Sequence, residues 1–389
     1  MAKFYTGIDI GTSHVKVVIT AAPEHPDHPL RIIGTGTAVS KGMRHGYIIN
    51  ITEATKGIAE AVDRAAKAAN VRVRTARIAI GGVGLDELRA QGEVSLTTSG
   101  GEVTEHDVER VLQESEKRSS AKLVNRKVIH AIPHTFKLDG SDVLGRCIGM
   151  KGSKLSVEAL LITSFEQHVN DLIAAAEAAN VEVEDVMASP LAASLVTLTK
   201  AQKMAGVVLA NIGAETLSIA VFENDVPISI KVLPTGSADI TNDLALSLKI
   251  PLQEAEQMKR GAVTNIDVPR KKIDDIVEDR LKDIFALVDA HLKSIGKQRL
   301  LPAGIVITGG GSGIATSADI ARATLRLPSS ISTLMSGARA VPGDASWAVA
   351  YGLCKWGYST DQKEGSRGMS DMWDSFKDFF ARTFRFLMP

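Results

Sequence analysis

The sequence predicts a two-lobed α/β fold, and three observations lead to this prediction. Two β-hairpins with glycine at their tips lie about 200 residues apart, and a third apolar strand, residues 305–308, runs into three glycines before a helix. When Asn211 is aligned with Asp9, the β-type alternation of the two hairpins is in phase. The same alignment places Gly213 on Gly11. An internal repeat of this kind indicates two similar lobes that face each other.

The composition bounds the class of protein. A chain of 389 residues exceeds one typical hydrophobic core and predicts two or more domains. Lys and Arg total 45, as do Asp and Glu, so the net charge gives no indication of a nucleic-acid partner. The two cysteines, Cys147 and Cys354, provide no disulfide framework and favour a reducing cytosol. We expect neither a signal peptide nor a membrane span, because the chain starts with strand-like sequence and has no run of 18 uncharged apolar residues.

The hairpin tips and the glycine run have the chemistry of a phosphate site. Glycine permits the backbone conformations that such tips require, and backbone N–H groups at Gly11, Thr12 and Ser13 suit phosphate oxygens. The carboxylate of Asp9 lies beside the first tip, where it is suited to hold Mg²⁺ through the water shell of the ion. Together the three motifs predict phosphate binding between the lobes.

The elements between the motifs follow from local signals. Asn50 and Glu53 have a capping-box-like spacing, which predicts the start of a helix in the first lobe. Later, short strands flank a charged helix, residues 105–117, and predict a small α+β module without a cluster of catalytic residue types. His130 and His134 lie in a strand-like segment of this module and are expected to be structural rather than metal ligands.

The predicted organisation has six parts. They are the first lobe (1–83 and 162–205, with a returning helix at 344–356), the inserted α+β module (84–161), which is expected to be an interaction surface, the second-lobe core (206–246 and 297–343), a helical subdomain of the second lobe (247–296), a flexible polar linker (357–368) and a C-terminal amphipathic helix (369–388). The inserted module and the C-terminal helix are additions to a plain two-lobed fold.

The C-terminal segment is amphipathic. Five of the ten phenylalanines lie between residues 376 and 386, and helical spacing collects the large apolar side chains on one face. The glycine-bounded linker argues against rigid docking of this face on the same chain, so a helix in a lipid interface is predicted. Docking on its own domain is the alternative. The predicted membrane-facing residues are Met372, Trp373, Phe376, Phe379, Phe380, Phe384 and Leu387.

The order and spacing of the three glycine motifs resemble the nucleotide fold of actin, Hsp70 and the sugar kinases. Over essentially the whole chain, the sequence resembles the FtsA family, actin-related bacterial division proteins that tether FtsZ filaments to the membrane. Residues 9–13 match the first phosphate motif of that family, and residues 308–312 match its adenosine motif. Residues 233–236 and 254–259 are similar to its nucleotide-facing segment and helix. The insertion together with the amphipathic tail makes the resemblance specific.

The resemblance implies that the chain binds ATP with Mg²⁺, polymerises, and anchors FtsZ filaments at the division septum. It implies FtsZ and other division proteins as partners, and a peripheral location on the cytoplasmic face of the cell membrane. Asp9 is then the residue that holds Mg²⁺ through water. The implied nucleotide-binding residues are Gly11, Thr12, Ser13, Asn211, Gly213, Thr216, Gly236, Glu254, Lys259, Gly309, Gly310, Gly311 and Ser312.

Three departures from the family pattern concern the phosphate end of the site. Asn211 stands where most relatives have aspartate, and His14 occupies a position where lysine is common. Ala214 and Glu215 replace a usual pair of glycines. A neutral side chain at position 211 supplies no charge toward Mg²⁺ and the attacking water, so at most slow ATP hydrolysis is expected. The candidate catalytic residues are Asp9, Asn211 and Glu215.

Two other interpretations fit the two-lobed fold. A PilM-like cytoplasmic component of type IV pilus assembly shares the actin core and a similar insertion, but by family resemblance it lacks the C-terminal amphipathic helix. A small-molecule kinase needs an acidic general base that faces a substrate cleft, and the sequence offers no convincing one. The C-terminal helix therefore distinguishes the FtsA-like interpretation from the PilM-like one.

Overall fold

The computed structural model describes residues 3–23, 28–96, 101–262, 268–334 and 345–365. The first lobe opens with three antiparallel strands, and a helix and a further strand follow. Its elements are β1 (Phe4–Ile10), β2 (His14–Ala21), β3 (Arg31–Val39), a two-stranded ribbon of β4 (Met43–Arg44) and β5 (Tyr47–Ile48), α1 (Ile51–Ala69) and β6 (Thr75–Ile80).

Helix α1 begins and ends where the sequence predicts. The Asn50 side chain accepts a hydrogen bond from the Glu53 backbone N–H, and Asn70 ends the helix in a left-handed conformation. The apolar face of α1 packs on β3 so closely that a Cβ atom at Gly36 would lie 2.0 Å from the Ala61 carbonyl oxygen. Glycine at this position therefore sets the spacing between the helix and the sheet.

The chain then leaves the first lobe for the inserted α+β module. Its elements are β7 (Asp86–Ser95), α2 (Glu105–Arg118), β8 (Arg126–Leu138), β9 (Ser141–Asp142) and β10 (Lys154–Phe165). The strands form an antiparallel sheet in the order β7-β10-β8-β9, and α2 packs on it through Val111 and Leu112. Strands β7 and β8 are longer than the sequence predicts, because β10 lies between them and pairs with both.

The first lobe resumes after the insertion and completes a five-stranded sheet. The further elements are α3 (Glu166–Ala178), β11 (Glu182–Ala188), α4 (Ser189–Thr197) and α5 (Lys200–Ala205). The strand order is β11-β6-β1-β2-β3, in which β1 pairs antiparallel with β2 and parallel with β6. Strand β1, which carries the first motif, is thus the central strand of its sheet.

The second lobe repeats this arrangement. Its elements are β12 (Val207–Ile212), β13 (Leu217–Glu223), β14 (Val226–Leu233), α6 (Ser237–Leu248), α7 (Leu252–Lys259), α8 (Arg270–Ser294), β15 (Ile305–Thr308), α9 (Ser317–Leu325) and β16 (Ser329–Ile331). The sheet order is β14-β13-β12-β15-β16, with β12 antiparallel to β13 and parallel to β15. Strand β12 therefore occupies the central position that β1 has in the first lobe.

The register of the two hairpins confirms the predicted repeat. In the first hairpin Asp9 is paired with Lys16, and in the second Asn211 is paired with Ser218. Both hairpins close with the same number of residues in the turn, since the last pairs are Ile10 with Val15 and Ile212 with Leu217. The tips are therefore equivalent in backbone position.

The lobes are joined by the last helix, α10 (Ala348–Gly365), which follows a 3₁₀ turn at Ala345–Trp347. Leu353 on this helix belongs to one hydrophobic core that includes Ile8 of the first sheet and Leu209 of the second. Because the two sheets share this core, they are anchored together at one end and separated at the hairpin tips.

The structure corrects the predicted linker. The sequence predicts a flexible segment over residues 357–368, but α10 continues through the first nine of them. The ring of Tyr358 packs edge-on against Tyr5 with 5.8 Å between the ring centroids, and the Asp361 carboxylate lies 2.7 Å from Lys3 Nζ. These partners are more than 350 residues away in sequence, so the local polar composition does not reveal them.

The remaining C-terminal predictions concern residues for which no structure is described. The amphipathic helix predicted at 369–388, with its seven membrane-facing residues, lies outside the described residues. Among the helices within the described ranges, none has both the length and the apolarity needed to cross a membrane.

The inserted module is fastened to the first lobe by polar contacts. On β8, the His130 ring accepts a hydrogen bond from the Ala188 backbone N–H at 3.0 Å, and just before β8 the Asn125 carbonyl accepts one from the Glu166 N–H of α3 at 3.0 Å. His130 thus has the structural role that the sequence predicts. Within the described ranges, neither it nor His134 belongs to a cluster of three potential metal ligands.

We expect His130→Gln to flatten the pH dependence of stability. Burial lowers the pKa of His130 from 6.5 to about 3. As the pH falls, this histidine is therefore protonated in the unfolded chain at a higher pH than in the folded chain. The contribution of the neutral ring is complete above the unfolded pKa and is lost as the pH falls toward 3, by up to about 1.4 kcal/mol per pH unit. Urea unfolding at about pH 7 and about pH 5 should therefore differ less in the variant than in the parent.

The matched control is His106→Gln on α2, because the His106 side chain is 76% exposed. This variant should keep the pH slope of the parent. An unchanged slope in the His130 variant would assign the pH dependence to other groups and contradict the expectation.

Candidate functional site

A cavity of about 680 Å³ lies between the two lobes. Both hairpin tips, the glycine run after β15, the start of α6 and the end of α7 line it, together with residues 345–347. Most of the residues predicted from the sequence therefore converge on one place. Those that line the cavity are Asp9, Gly11, Thr12, Ser13, Asn211, Gly213, Thr216, Lys259, Gly309, Gly310 and Gly311.

The first hairpin tip turns tightly and places a carboxylate beside it. A Cβ atom at Gly11 would lie 2.9 Å from the His14 carbonyl oxygen, so only glycine fits the turn. The Ser13 hydroxyl lies 2.9 Å from His14 Nδ1. Burial raises the pKa of Asp9, and the positive charge of Lys16 on the paired position of β2 opposes this shift. The Asp9 carboxylate is thus a weakly solvated group next to a cation.

The second hairpin tip has the same turn and is braced by α6. The Gly213 N–H donates to the Thr216 carbonyl at 2.8 Å, and a Cβ atom at Gly213 would lie 3.0 Å from that oxygen. The Ser237 and Ala238 N–H groups, at the start of α6, donate to the carbonyls of Gly213 and Ala214 at 2.9 and 2.8 Å. The tip and the helix start therefore form one unit.

The glycine run packs against the second hairpin. Gly309 has a φ of 88°, and a Cβ atom there would lie 2.3 Å from Asn211 Oδ1 and 2.5 Å from the Ile212 carbonyl oxygen. The buried Ser312 hydroxyl donates to the Gly309 carbonyl at 2.6 Å. Around Gly310 there is open space, so this residue leaves the cavity accessible. The run thus combines one tightly packed glycine with an open wall.

Helix α7 presents an ion pair to the cavity. Lys259 Nζ lies 2.6 Å from the Glu256 carboxylate, 2.8 Å from the Thr241 hydroxyl and 3.0 Å from the Ser237 carbonyl. Burial lowers the pKa of Lys259, and the bond to Glu256 opposes that shift. Burial raises the pKa of Glu256, but hydrogen bonds from Lys259, Thr241 and Arg260 keep it below its usual value. The three N–H donors of Lys259 are therefore all engaged.

Glu254 requires a correction, because it does not line the cavity whereas Glu256 does. The sequence correctly predicts a helix here, but two residues advance about 200° around a helix axis and so point in nearly opposite directions. Gly236 and Ser312 also lie outside the lining and shape it from behind. A Cβ atom at Gly236 would lie 2.4 Å from the Ala214 carbonyl oxygen.

Glu215 lies on the second tip but outside the lining of the cavity. Its carboxylate accepts a hydrogen bond from the His45 backbone N–H at 2.6 Å, and His45 Nδ1 lies 3.3 Å from the Glu215 carbonyl oxygen. His45 belongs to the ribbon of β4 and β5, so this contact joins the second tip to the first lobe. The carboxylate that the sequence offers as a catalytic candidate is engaged in this contact.

Three basic side chains in the lining are absent from the sequence-based assignment. They are His14, Lys16 and Arg260, which come from both lobes. Burial lowers the pKa of His14, and the charges of Lys16 and Arg260 lower it further. Lys16 follows His14 by two residues and so shares its face of β2. This spacing was the available signal that a cation faces the site.

Solved structures with the same architecture define the class of protein. A PilM–PilN type IV pilus biogenesis complex matches with a TM-score of 0.69 at 18% identity, over 91% of this chain and 98% of that chain. MreB 5 of Spiroplasma citri bound to AMPPNP matches with a TM-score of 0.55 at 12% identity, over 93% of this chain and 98% of that chain. The two sheets and the cleft thus form an actin-like fold with an inserted α+β module, as the sequence predicts.

Sequence comparisons identify the particular family. Residues 84–163 match the model of the "SHS2 domain inserted in FTSA", and residues 208–352 match "Cell division protein FtsA". FtsA of Pseudomonas aeruginosa is 30% identical over 347 residues, which cover 84% of this chain and 82% of the relative. FtsA of Bacillus subtilis is 31% identical over 329 residues, 79% of this chain and 73% of the relative. The chain belongs to the FtsA family of cell division proteins.

The comparisons also bear on the PilM-like alternative. The PilM–PilN complex is a likeness of fold at 18% identity, whereas the FtsA relatives match in sequence at about 30%. The PilM-like interpretation therefore has support from the fold alone.

We expect Gly309→Ala to destabilise the second lobe. Its positive φ and the two oxygens within 2.5 Å of an added Cβ atom exclude a side chain, and such strain costs about 1–3 kcal/mol. The matched control is Gly310→Ala, because nothing lies within 4 Å of its Cβ position. Urea unfolding followed by circular dichroism measures both. Equal stability of the two variants would contradict the packing described for Gly309.

Proposed function

We propose that the cavity binds ATP with Mg²⁺, and that the chain is a polymerising adaptor that anchors FtsZ filaments to the membrane at the division septum. The observation that carries this proposal is the convergence of both hairpin tips and the glycine run on one cavity between the lobes. Structures of MreB 5 bound to AMPPNP and to ADP have the same fold and support a nucleotide as the ligand.

The proposed roles follow from the contacts of each residue. Backbone N–H groups at Gly11, Thr12 and Ser13 hold phosphate oxygens, and Lys16 neutralises part of their charge. Gly213 does not donate to the phosphates, because its own N–H is bonded to a carbonyl of the same tip. Its role is to leave room for the phosphates where a side chain would otherwise lie. Residues 309–311 and the Glu256–Lys259 pair enclose the adenosine.

Asp9 fits the coordination that Mg²⁺ prefers. This ion usually keeps several waters and takes one or two carboxylates together with the phosphates of its nucleotide. Within the described ranges there is no cluster of three His, Cys, Asp or Glu residues, so the chain is suited to share the ion with a nucleotide rather than to cage it. When bound, Mg²⁺ neutralises charge on the phosphates, and Asp9 orients its water shell.

Hydrolysis of the bound ATP is proposed to be slow. Asn211 is neutral and packs against Gly309, so it supplies no base. The Glu215 carboxylate is bonded to the His45 N–H and lies outside the cavity lining. The loss of a positioned base or water-orienting group typically costs about 10²–10⁴-fold in rate. The bound nucleotide thus favours an assembling conformation more than it drives turnover.

We expect Lys16→Met to weaken ATP binding about tenfold, which corresponds to the loss of one charge-assisted contact. The matched control is Lys56→Met on α1, whose side chain is 69% exposed and pairs with Glu53 on the surface. Isothermal titration with Mg-ATP measures both. If the parent binds no ATP at millimolar nucleotide, the proposed ligand is wrong; if only the Lys16 effect is absent, its role toward the phosphates is wrong.

The proposed membrane attachment is weak for one chain and firm for a filament. Burial of a Trp, Phe or Leu side chain contributes roughly 1.5–3 kcal/mol, so seven such groups contribute on the order of 10–20 kcal/mol. Ordering some 20 residues into a helix costs roughly 1–2 kcal/mol each, only partly offset by helical hydrogen bonds. After that offset, the cost of ordering cancels most of the gain from burial, so one tail binds reversibly. A filament that presents many tails raises their effective concentration.

We expect Trp373→Glu combined with Phe380→Glu to abolish flotation with liposomes while ATP binding is retained, because both changes place charge on the predicted apolar face. The matched control is Ser375→Glu combined with Arg385→Gln. It changes the net charge by the same two units on the predicted polar face and should float like the parent. Flotation of the first variant at the parental level would contradict the anchor and favour the PilM-like interpretation.

A further inference from the structure

The inserted module contacts the second lobe along its outer strand. On β7, the Glu87 carboxylate accepts hydrogen bonds from the Ser229 hydroxyl at 2.8 Å and from the Ile230 backbone N–H. The neighbouring Arg89 guanidinium donates to the Ile228 carbonyl at 2.9 Å. Strand β14 is the edge of its sheet, so Glu87 and Arg89 satisfy backbone groups that an edge strand otherwise leaves unpaired.

The contact of Glu87 continues into the second lobe. Ser229 is fully buried, and its hydroxyl also lies 3.0 Å from His291 Nε2 on α8. A carboxylate is an acceptor, so the single hydroxyl proton points to Glu87 and the His291 ring must donate to the serine oxygen. The hydrogen-bond directions along this chain are therefore fixed by the charge of Glu87.

Glu87 is at the same time rigidly attached to the first lobe. It pairs with Ile162 on β10, and β10 runs directly into α3 of the first lobe. His130 of the module accepts the Ala188 N–H of the first sheet. A bond from Glu87 to β14 is therefore a bond between the two lobes, although it lies outside the lining of the cavity.

Strand β14 leads directly to the cavity. After three intervening residues α6 begins, and the first two N–H groups of α6 hold the carbonyls of Gly213 and Ala214. A displacement of β14 relative to the first lobe thus displaces the second hairpin tip relative to the first.

We propose that Glu87 is a positioning residue for the ligand of the interlobe cavity. By holding β14 at a fixed distance from the first lobe, it keeps the two hairpin tips in register with one bound ligand. The inference rests on the proposed nucleotide binding, and it assigns to the inserted module a role in nucleotide retention in addition to the predicted contacts with other proteins.

The test is Glu87→Gln in the full chain. Glutamine has the same shape but only one acceptor oxygen, so one of the two donors from β14 faces an amide N–H₂ group. The dissociation rate of N-methylanthraniloyl-ATP with Mg²⁺, measured by stopped-flow chase with unlabelled ATP, should rise about tenfold, the effect of one hydrogen bond to a charged group. The fraction of chains that bind should not change.

Glu93→Gln is the matched control. Glu93 lies on the same strand and pairs with Lys154 at 3.0 Å within the module, so it does not reach the second lobe. This variant should release the nucleotide at the parental rate. An equal increase in both variants, or a lower binding fraction with an unchanged rate in Glu87→Gln, would show a general structural effect and overturn the inference.

Two further measurements separate this inference from the proposed function. Ser229→Ala removes the hydroxyl that donates to Glu87. Because both substitutions disrupt the same contact, the double variant Glu87→Gln with Ser229→Ala should release nucleotide little faster than Glu87→Gln alone. Hydrogen exchange of the Ile230 amide requires no nucleotide and should accelerate in Glu87→Gln. If the parent binds no nucleotide, the proposed function fails. If the parent binds and Ile230 loses protection while the dissociation rate stays unchanged, the positioning role fails.

Discussion

The cleft depends on the close packing of α10 at the common base of the two sheets. A Cβ atom at Gly7 would lie 2.1 Å from the Ala350 carbonyl oxygen, and one at Gly352 would lie 1.9 Å from that of Ala192. Because glycine occupies both positions, α10 reaches backbone contact with β1 and with α4. One hydrophobic core then extends from the first sheet into the second. The strands that lead into the tips, β1 and β12, are the central strands of the two sheets. The packing that fixes the two sheets relative to each other therefore also sets the distance between the tips.

The elements in which apolar and polar side chains alternate with a short period were predictable from the sequence. The alternation of side chains along a strand has a period of two, so the alignment of Asn211 with Asp9 fixed both the faces and the register of the hairpins. The structure has that register. The inserted module was visible as a change from regular α/β alternation to short strands around a charged helix.

The parts of the site that depend on distant contacts were not predictable in this way. The helical period of α7 is visible in the sequence, but burial of Ala255 and Met258 decides which face turns inward, and so whether Glu254 or Glu256 meets the cavity. Glu215 was assigned by its place on a tip, whereas its partner His45 is 170 residues away. Lys16 was overlooked because it lies on the strand behind the tip, where its pairing with Asp9 places it at the site.

The extension of α10 bears on the proposed membrane attachment, because it limits how far the folded body could stand from a surface that the predicted tail would bind. Only residues 366–368 lie between the last described residue of this helix and the predicted amphipathic segment, whereas the predicted linker has twelve residues. Whatever their conformation, three residues span at most about 10 Å, whereas twelve could span about 40 Å. A connection of three residues would leave the folded part of the chain little freedom to rotate relative to the tail. Under the proposed membrane attachment, the edge of the first lobe where Lys3 meets Asp361 would be the side turned toward the lipid.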